Sequence, residues 1–196
     1  MFTGIIEAVG RVERVEHKGT NRSFWISAPI TSELKVDQSV AHDGVCLTVE
    51  DVLPNCYKVT AIAETLDKTT LKYWTQITEV NLERSLLPSR RLDGHFVQGH
   101  VDTTGRCELI EDKQGSFEIT VSFHERFASL VIEKGSIAVN GVSLTIFDIG
   151  RTSFKVAIIP YTWKHTNLKN LSRGDGVNVE FDMVGKYILR SKLLSQ

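Results

Sequence analysis

The chain has 196 residues, a length that fits one large domain or two small ones. Hydrophobic residues make up 41% and charged residues 24%, an ordinary balance for a globular protein. The formal net charge of −1 and the lack of Lys/Arg runs argue against a nucleic-acid-binding surface, and no apolar stretch approaches the roughly 20 residues of a membrane span.

The N-terminal run MFTGIIEAVG lacks the basic start and long apolar core of a signal peptide, so we expect a cytoplasmic protein. Three cysteines, Cys46, Cys56 and Cys107, are too few and too scattered for a disulfide framework, which also favours a reducing compartment. The cysteines and the six histidines show neither C-x-x-C nor H-x-x-x-H spacing. We therefore expect no metal site.

Short runs rich in β-branched and aromatic residues predict strands in both halves of the chain. Examples are SFWISAP (23–29), YKVTAIA (57–63), FEITVSF (117–123) and FKVAIIP (154–160). The turn dipeptides Asp43-Gly44, Pro54-Asn55 and Asn140-Gly141 fall between such runs. Many short strands at close spacing predict small closed barrels, which leave no sheet edge exposed.

Helix signals are weak outside three segments. TSELK (31–35) and HERFASLVIEKG (124–135) each predict about one turn of helix. The last segment, VGKYILRSKLLSQ, carries Tyr187, Ile188, Leu189, Leu193 and Leu194 on one apolar stripe, with Lys186, Arg190 and Lys192 off it. We therefore predict a short helix over 186–196 that needs a partner surface, either its own barrel or another subunit.

An eleven-residue phrase occurs twice, as SVAHDGVCLTV at 39–49 and SIAVNGVSLTI at 136–146. A shift of 97 positions aligns 39–83 with 136–180 without a gap, and 17 of the 45 pairs are identical. Upstream, a shift of 95 aligns 4–15 with 99–110. Similarity over half a chain indicates duplication, so we predict two like domains, 1–90 and 91–185, followed by the tail.

Several motifs point to a known family. The chain begins with MFTGIIE, carries GVCLT and then GVSLT, and joins its halves with GHFVQGHVD. The segments ETLDKTTL and YTWKHTNL follow the two GV motifs. Together these motifs resemble the riboflavin synthase family over nearly the whole chain, from residue 1 to about 190.

The resemblance implies an all-β protein with two six-stranded, Greek-key-like barrels in tandem and a short C-terminal α-helix that assembles a homotrimer. The N-terminal barrel of one subunit would face the C-terminal barrel of the next. Two molecules of 6,7-dimethyl-8-ribityllumazine would exchange a four-carbon unit, giving riboflavin and 5-amino-6-(ribitylamino)uracil without cofactor or metal. Lumazine synthase is an implied partner.

A reaction between two copies of one substrate needs two pockets for the same ring system, which duplication supplies. In the N-terminal copy the implied substrate-binding residues are Gly4, Ile5, Ile6, Cys46, Leu47, Thr48, Thr60, Ala61, Ile62, Ala63, Glu64 and Thr65. In the C-terminal copy they are Gly99, His100, Val101, Ser143, Leu144, Thr145, Ala157, Ile158, Ile159, Pro160, Tyr161 and Thr162. Lys134 is a candidate for the ribityl end. Hydroxyl groups and strand-edge amides suit a pteridine ring, although threonine is also simply a good strand residue.

The differences between the copies are candidates for catalysis. Cys46 aligns with Ser143, and His100 aligns with Ile5. A neutral imidazole at His100 suits removal of a proton from the acidic C7 methyl group of the lumazine. Cys46 or Ser39, or a water that they hold, can add to the acceptor ring, and Ser143 and Thr145 are further catalytic candidates. Taken alone, a lone cysteine is more often a core residue, and His100 an ordinary strand histidine.

The roles of four further side chains remain open at this point. Asn140 stands where many family members have aspartate, so a carboxylate role there is in doubt, and Asp43 is its counterpart in the first copy. Asp182 matches an acidic residue of the family. On a regular strand His95 and His100 would point to opposite faces and share no metal.

Other functions fit parts of the pattern. A non-catalytic antenna protein that binds lumazine or flavin would share the fold but lose reactive residues, whereas Cys46 and His100 are present here. A flavin-dependent oxidoreductase domain would need a glycine-rich phosphate-binding motif, which this short chain lacks. A purely structural tandem explains the repeat but not the altered cysteine and histidine.

Overall fold

The computed structural model describes residues 1–195, and their strands close into two antiparallel barrels of six strands each. The first barrel contains β1 (Ala8–Lys18), β2 (Asn21–Ser27), β3 (Ser39–His42), β4 (Val45–Val52), β5 (Tyr57–Ala61) and β6 (Glu79–Arg84). The second contains β7 (Thr103–Asp112), β8 (Phe117–Ser122), β9 (Ser136–Val139), β10 (Val142–Phe147), β11 (Ser153–Ile158) and β12 (Gly176–Phe181). Around each barrel the strands follow the same order, β1-β2-β5-β4-β3-β6 and β7-β8-β11-β10-β9-β12. The predicted tandem of all-β barrels is confirmed.

Short helices connect these strands. The two predicted turns of helix are 3₁₀ turns at Thr31–Glu33 and Glu125–Leu130. Two helices were not predicted from the sequence, α1 (Ala63–Lys68) and α2 (Pro160–His165). Each is followed by a 3₁₀ turn, at Thr70–Tyr73 and Asn167–Asn170. Six residues are too few to show helical periodicity. Consequently the predicted binding runs 60–65 and 157–162 each turn from a strand into a helix.

Each barrel has its own apolar core. Phe24 and Tyr57 are fully buried in the first barrel, and Phe154 and Phe181 are buried in the second. The first core also contains a histidine, because His42 Nε2 lies 2.9 Å from the Tyr57 hydroxyl oxygen and Nδ1 lies 2.9 Å from the Val40 carbonyl. Burial lowers the pKa of His42 to about 4, so this ring is neutral and serves as a core residue.

The barrels meet at two equivalent hairpin tips. Asp43-Gly44 and Asn140-Gly141 all have positive φ, as the tight turns between β3 and β4 and between β9 and β10 require. A Cβ atom on Gly44 would lie 2.9 Å from the backbone nitrogen of Gly141, and one on Gly141 would lie 2.7 Å from that of Gly44. Only glycine permits this close approach of the two turns.

A symmetric set of buried hydrogen bonds surrounds the tips. The side-chain amide of Asn81 donates to the Asn140 carbonyl (3.0 Å), and that of Asn178 donates to the Asp43 carbonyl (2.9 Å). Asp43 Oδ1 accepts from the Asn81 N–H and Asn140 Oδ1 from the Asn178 N–H, each at 2.8 Å. Asp43 Oδ1 also accepts from the Asn167 side-chain amide of the second barrel at 2.8 Å, whereas the Asn140 side chain bonds within its own barrel. The amides of Asn81, Asn167 and Asn178 therefore hold the barrels together.

The C-terminal helix α3 spans Met183–Leu194, so it begins three residues before position 186. The Asp182 side chain caps it by accepting from the Val184 N–H, and Lys186 pairs with Asp102 at 2.6 Å. Four residues of the predicted stripe are largely exposed, namely Tyr187, Ile188, Leu193 and Leu194. Gln196, the last residue of the predicted tail, lies outside the described residues. In the part of the chain that the structure describes, the helices are too short or too polar to cross a membrane.

The contact between the barrels predicts a dependence of stability on pH. Burial raises the pKa of Asp43 from 3.8 to about 7, against the opposing hydrogen bonds from Asn81 and Asn167. The native state then binds a proton more tightly than the unfolded state, so the free energy of unfolding should fall as pH rises from about 4 to about 7, by at most about 1.4 kcal/mol per unit.

Asp43→Asn, which copies Asn140, should remove that slope and stabilise the protein at about pH 8. Urea unfolding at several pH values measures the effect, with the exposed Asp67→Asn as the control. An unchanged slope in Asp43→Asn would show that Asp43 does not hold this proton.

Candidate active site

The segment that precedes each barrel crosses to the other barrel. The Ser143 N–H in β10 donates to the Gly4 carbonyl at 2.8 Å, and Ile6 packs against the core of the second barrel. Conversely, the Cys46 N–H in β4 donates to the Gly99 carbonyl at 2.9 Å, and Val101 packs against the first core. We call 1–6 and 95–101 the crossing segments.

The exchange corrects one prediction. We expected each copy to form its own pocket, with Gly4, Ile5 and Ile6 in the N-terminal copy and Gly99, His100 and Val101 in the C-terminal copy. The structure exchanges these groups between the barrels. Alignment of the two copies shows which residues are equivalent. It does not show whether a crossing segment contacts its own barrel or the other one, because both arrangements have the same sequence pattern.

A buried carboxylate anchors each crossing segment. Glu83 in β6 accepts from the N–H groups of Thr3 (2.7 Å) and Gly4 (2.9 Å) and from the Thr3 hydroxyl (2.7 Å). Glu180 in β12 accepts from the N–H groups of Gln98 (2.7 Å), Gly99 (3.0 Å) and His100 (2.9 Å). Burial raises the pKa of both carboxyls, while the N–H donors oppose that rise. Neither glutamate was predicted from the sequence, although both end a repeated run, VNLE at 80–83 and VNVE at 177–180.

The crossing segments also pair with each other. Phe2 donates to the Val97 carbonyl at 2.7 Å and accepts from its N–H at 3.1 Å. Both side chains are buried in a small cluster with Ala41 and Ala138, against which Cys46 packs. This cluster fixes both segments between the barrels.

Two glycines bring the backbone against the reactive side chains. Gly4 has φ +77°, and a Cβ there would lie 2.6 Å from Ser143 Cβ. Gly99 has φ +81°, and a Cβ there would lie 2.6 Å from Cys46 Cβ. Any larger residue at either position would displace the side chain opposite.

A cavity of about 480 Å³ lies beside Ser143 on the second barrel, and we call it the second pocket. Eight predicted binding residues line it: Ile5, Lys134, Ser143, Leu144, Thr145, Ala157, Ile159 and Thr162. The lining also includes Asp93, Gly94, Ser136, Ile146 and Phe147, which were not predicted. Its volume suits a drug-sized heterocycle.

Three predicted residues of the 157–162 run have their side chains elsewhere. Ile158 is buried in the barrel core. Pro160 and Tyr161 are exposed on α2, where Tyr161 stacks on His165 with ring centroids 4.1 Å apart. Ile158 is the last residue of β11 and lies in the core, whereas Pro160 and Tyr161 follow the turn into α2.

The region of the first barrel that is equivalent to the second pocket surrounds Cys46, and we call it the first pocket because of this equivalence. Ser39 pairs with Thr48 across β3 and β4, as Ser136 pairs with Thr145 in the second barrel. Thr60 Oγ1 lies 2.8 Å from Ser23 Oγ, whereas Leu47 and Ala61 are buried in the core. His100 is exposed and adjoins Gly99, whose carbonyl accepts from the Cys46 N–H.

The remaining predicted residues of the first copy follow β5. Ile62 is exposed, and Ala63, Glu64 and Thr65 lie on α1. The Glu64 carboxylate pairs with Lys68 at 2.7 Å on the helix surface. The Thr65 carbonyl accepts from the Thr69 hydroxyl at 2.6 Å. Both Glu64 and Thr65 thus have contacts within or next to α1.

His95, which the sequence suggested only as a neighbour of His100, contacts a predicted catalytic residue. Its Nδ1 lies 2.7 Å from Ser143 Oγ. Burial lowers the pKa of His95, and the nearby Asp182 carboxylate partly opposes that shift. The crossing segment 95–101 holds only an isolated bridge at Val97. The assumption that His95 and His100 lie on a regular strand was therefore wrong. His95 is buried, whereas His100 is exposed.

Comparison with known proteins finds one domain family that matches the chain twice. The lumazine binding domain family matches residues 3–85 and again 98–182. The riboflavin synthase of Actinobacillus pleuropneumoniae is 39% identical over 189 residues, which cover 96% of this chain and 88% of that protein. That of Mycobacterium tuberculosis (strain ATCC 25618 / H37Rv) is 39% identical over 195 residues, or 97% of each chain.

Solved structures share the fold. The crystal structure of LumP complexed with riboflavin superposes with a TM-score of 0.87 at 20% sequence identity, covering 92% of this chain and 99% of LumP. LumP complexed with 6,7-dimethyl-8-(1'-D-ribityl) lumazine gives a TM-score of 0.85 at the same identity and coverage. At this identity the likeness concerns the fold alone.

The carboxylate anchors yield a test. Glu180→Gln would place an NH₂ group against backbone N–H donors, so we expect the free energy of unfolding to fall by about 1–3 kcal/mol. The Cys46 amide, which donates to the anchored Gly99, should also exchange its hydrogen faster. Urea unfolding and hydrogen exchange measure both effects, with the exposed Glu133→Gln as the control. If Glu180→Gln behaved like this control, Glu180 would not be an anchor.

Proposed function

The chain belongs to the riboflavin synthase family, and from that membership we propose how its two barrels share one reaction. The family reaction transfers a four-carbon unit between two molecules of 6,7-dimethyl-8-ribityllumazine and yields riboflavin and 5-amino-6-(ribitylamino)uracil. The chain is accordingly an enzyme of the transferase type. Each of its two pockets would hold one lumazine.

One observation carries this proposal. Two strands at equivalent positions, β4 and β10, each contact a glycine carbonyl of a crossing segment at nearly the same distance, 2.9 Å at Cys46 and 2.8 Å at Ser143. Because the two contacts are built in the same way, the two regions suit two copies of one ligand. LumP, which has this fold, has crystal structures in complex with 6,7-dimethyl-8-(1'-D-ribityl) lumazine and with riboflavin.

Binding would use hydroxyl and backbone groups around each ring. In the second pocket Thr145 and Thr162 offer hydroxyls, and Ile5 and Ile159 offer apolar surface to the ring faces. Lys134 lies at the same cavity and is our candidate for the ribityl chain. In the first pocket Thr48 and Thr60 would serve the same purpose.

Chemistry would come from the differences between the pockets. We assign removal of the C7 methyl proton to His100, because it lies in the crossing segment beside Cys46 and its side chain is exposed. Cys46 or Ser39, or a water between them, would add to the acceptor ring, and Ser143 and Thr145 would act from the second pocket. Holding two rings together also replaces a bimolecular encounter.

A non-catalytic antenna protein is the alternative function. LumP shares the fold at 20% identity, whereas the riboflavin synthases are 35–39% identical over nearly the whole chain. Incubating the purified protein with the lumazine substrate separates the two, because only the enzyme forms riboflavin and its fluorescence.

We further propose a homotrimer in which the pocket of one subunit faces a pocket of the next. Apolar residues at the pockets are exposed, including Ile5, Ile62 and Ile159, and so is the stripe on α3. Burying such side chains contributes roughly 1.5–3 kcal/mol each, so packing of three α3 stripes would hold the subunits. Free cysteines at 46, 56 and 107 favour a cytoplasmic location, and a complex with lumazine synthase stays a prediction.

The assignment of the base predicts that His100→Gln lowers turnover on the order of 10²–10⁴-fold. Cys46→Ser should retain part of the activity if the Cys46 thiol polarises the acceptor ring rather than forming a covalent bond to it. Steady-state formation of riboflavin measures both, with the exposed His17→Gln as the control. Near-native rates in both variants would contradict these assignments, and the orientation of the two bound rings would alone have to account for catalysis.

The assembly predicts that Ile188→Glu yields a monomer that still binds riboflavin but has little synthase activity. A buried carboxylate in the helix interface is strongly unfavourable. Arg190→Glu introduces the same group about 200° around the helix and should remain trimeric. Light scattering and the turnover assay measure both variants, and a fully active Ile188→Glu monomer would contradict a site shared between subunits.

A further inference from the structure

A cavity of about 710 Å³ lies where the two barrels meet, and we call it the inter-barrel cavity. It is lined by positions 43, 70, 73, 74 and 77–79 of the first copy and by the same positions plus 97 in the second. Among residues 1–195 it shares no lining residue with the second pocket. Ligand pockets of roughly 300–1,000 Å³ are common at such domain interfaces. The cavity therefore has the size and the position of a binding site apart from the proposed reaction.

The two walls of this cavity occupy equivalent positions but differ in chemistry. None of the seven pairs of positions holds the same residue twice, although 17 of the 45 pairs in the aligned stretch are identical. The first copy supplies bulky side chains, at Tyr73, Trp74 and Ile77. At the same positions the second copy has the smaller Asn170, Leu171 and Gly174. A ring with one apolar face and one polar edge would fit between such walls.

Ile77 occupies an unusual position at this cavity. Its φ is +76°, a conformation that a β-branched residue rarely adopts, whereas the equivalent Gly174 adopts φ +98° without strain. The Ile77 side chain is 63% exposed, so burial in a core does not account for the isoleucine. Tyr73, on the same wall, is 70% exposed. Both side chains offer apolar surface to a bound molecule.

The charged residues of the lining are all acidic, namely Asp43, Glu79 and Asp175. Two bases, Lys72 and Arg106, lie nearby but outside the lining: Lys72 Nζ is 5.2 Å from the centre of the Tyr73 ring, and a Cβ on Gly174 would lie 3.4 Å from Arg106 Nη2. Carboxylates at a cavity attract cations and disfavour anions. The charge of the lining therefore selects a cationic ligand.

Asn167, which also lines the cavity, lacks a hydrogen-bond donor. Its side chain is oriented unambiguously, because Nδ2 donates to Asp43 Oδ1 (2.8 Å) and to the Glu79 carbonyl (3.1 Å). The residue is 7% exposed, and within residues 1–195 its buried Oδ1 accepts no hydrogen bond. Buried polar atoms are nearly always hydrogen-bonded, so this oxygen calls for an N–H or O–H group from another molecule.

We propose that the inter-barrel cavity binds a small organic cation that carries a planar ring. The ring lies against Tyr73 and Ile77, and the N–H groups of the cation face the acidic side chains and Asn167. This site is independent of the proposed reaction, because none of these residues has a role in it.

Fluorine NMR with 5-fluorotryptophan in the full chain tests the proposal, because the protein has three tryptophans and only Trp74 lines the cavity. Trp25 and Trp163 serve as internal references, and Trp→Phe variants assign the three signals. The probe is benzamidinium chloride at about pH 8, above the pKa of Asp43, which burial raises to about 7. We expect a saturable shift of the Trp74 signal alone, and none with sodium benzoate, which has the same ring and the opposite charge.

Matched variants locate the bound cation. Asp175→Asn should weaken benzamidinium binding about two- to fivefold, as the loss of one exposed charge partner implies, whereas Asp67→Asn should not. Ile77→Gly, which copies Gly174, should also weaken binding without unfolding the turn, and Ile132→Ala on another surface should not. The absence of a saturable Trp74 shift, an equal shift with benzoate, or wild-type affinity in both Asp175→Asn and Ile77→Gly would overturn the proposal.

Discussion

The exchange of crossing segments between the barrels is the constraint on which the rest of the structure depends. Each segment is held by a carboxylate of its own barrel, Glu83 or Glu180, and delivers a glycine carbonyl to the other barrel. Neither pocket is therefore complete within one half of the repeat. The close contact of the hairpin tips at Gly44 and Gly141 keeps the barrels at the spacing that this exchange needs.

Duplication with exchange accounts for pockets that are alike in construction and unlike in chemistry. The backbone contacts at Cys46 and Ser143 are equivalent, so both pockets can present the same surroundings to one kind of ring. The side chains added to this frame differ: a thiol with His100 nearby in one, and a hydroxyl bonded to His95 in the other. The proposed reaction, in which identical molecules act as donor and acceptor, would use this combination.

Much of this arrangement can be predicted from the sequence, and particular residues show where such prediction fails. The repeat identifies Cys46 with Ser143 and Gly4 with Gly99, but it cannot say which barrel each glycine contacts, since both pairings leave the alignment unchanged. Glu83 and Glu180 repeat identically, yet all but one of their donors are backbone groups, which have no sequence signal. His95 lies between the aligned stretches, and α1 and α2 are too short for a periodic pattern. For the crossing segments, the two glutamates and His95, what the sequence lacks is information on contacts between distant segments of the chain.

A crystal structure with a lumazine analogue bound tests the central claim, the exchange of segments between two pockets, most directly. The account predicts two rings per chain, one between Ile5 and Ser143 and one between His100 and Cys46. A ring that contacted the crossing segment and the strands of one and the same half, or a single ring per chain at saturation, would contradict it.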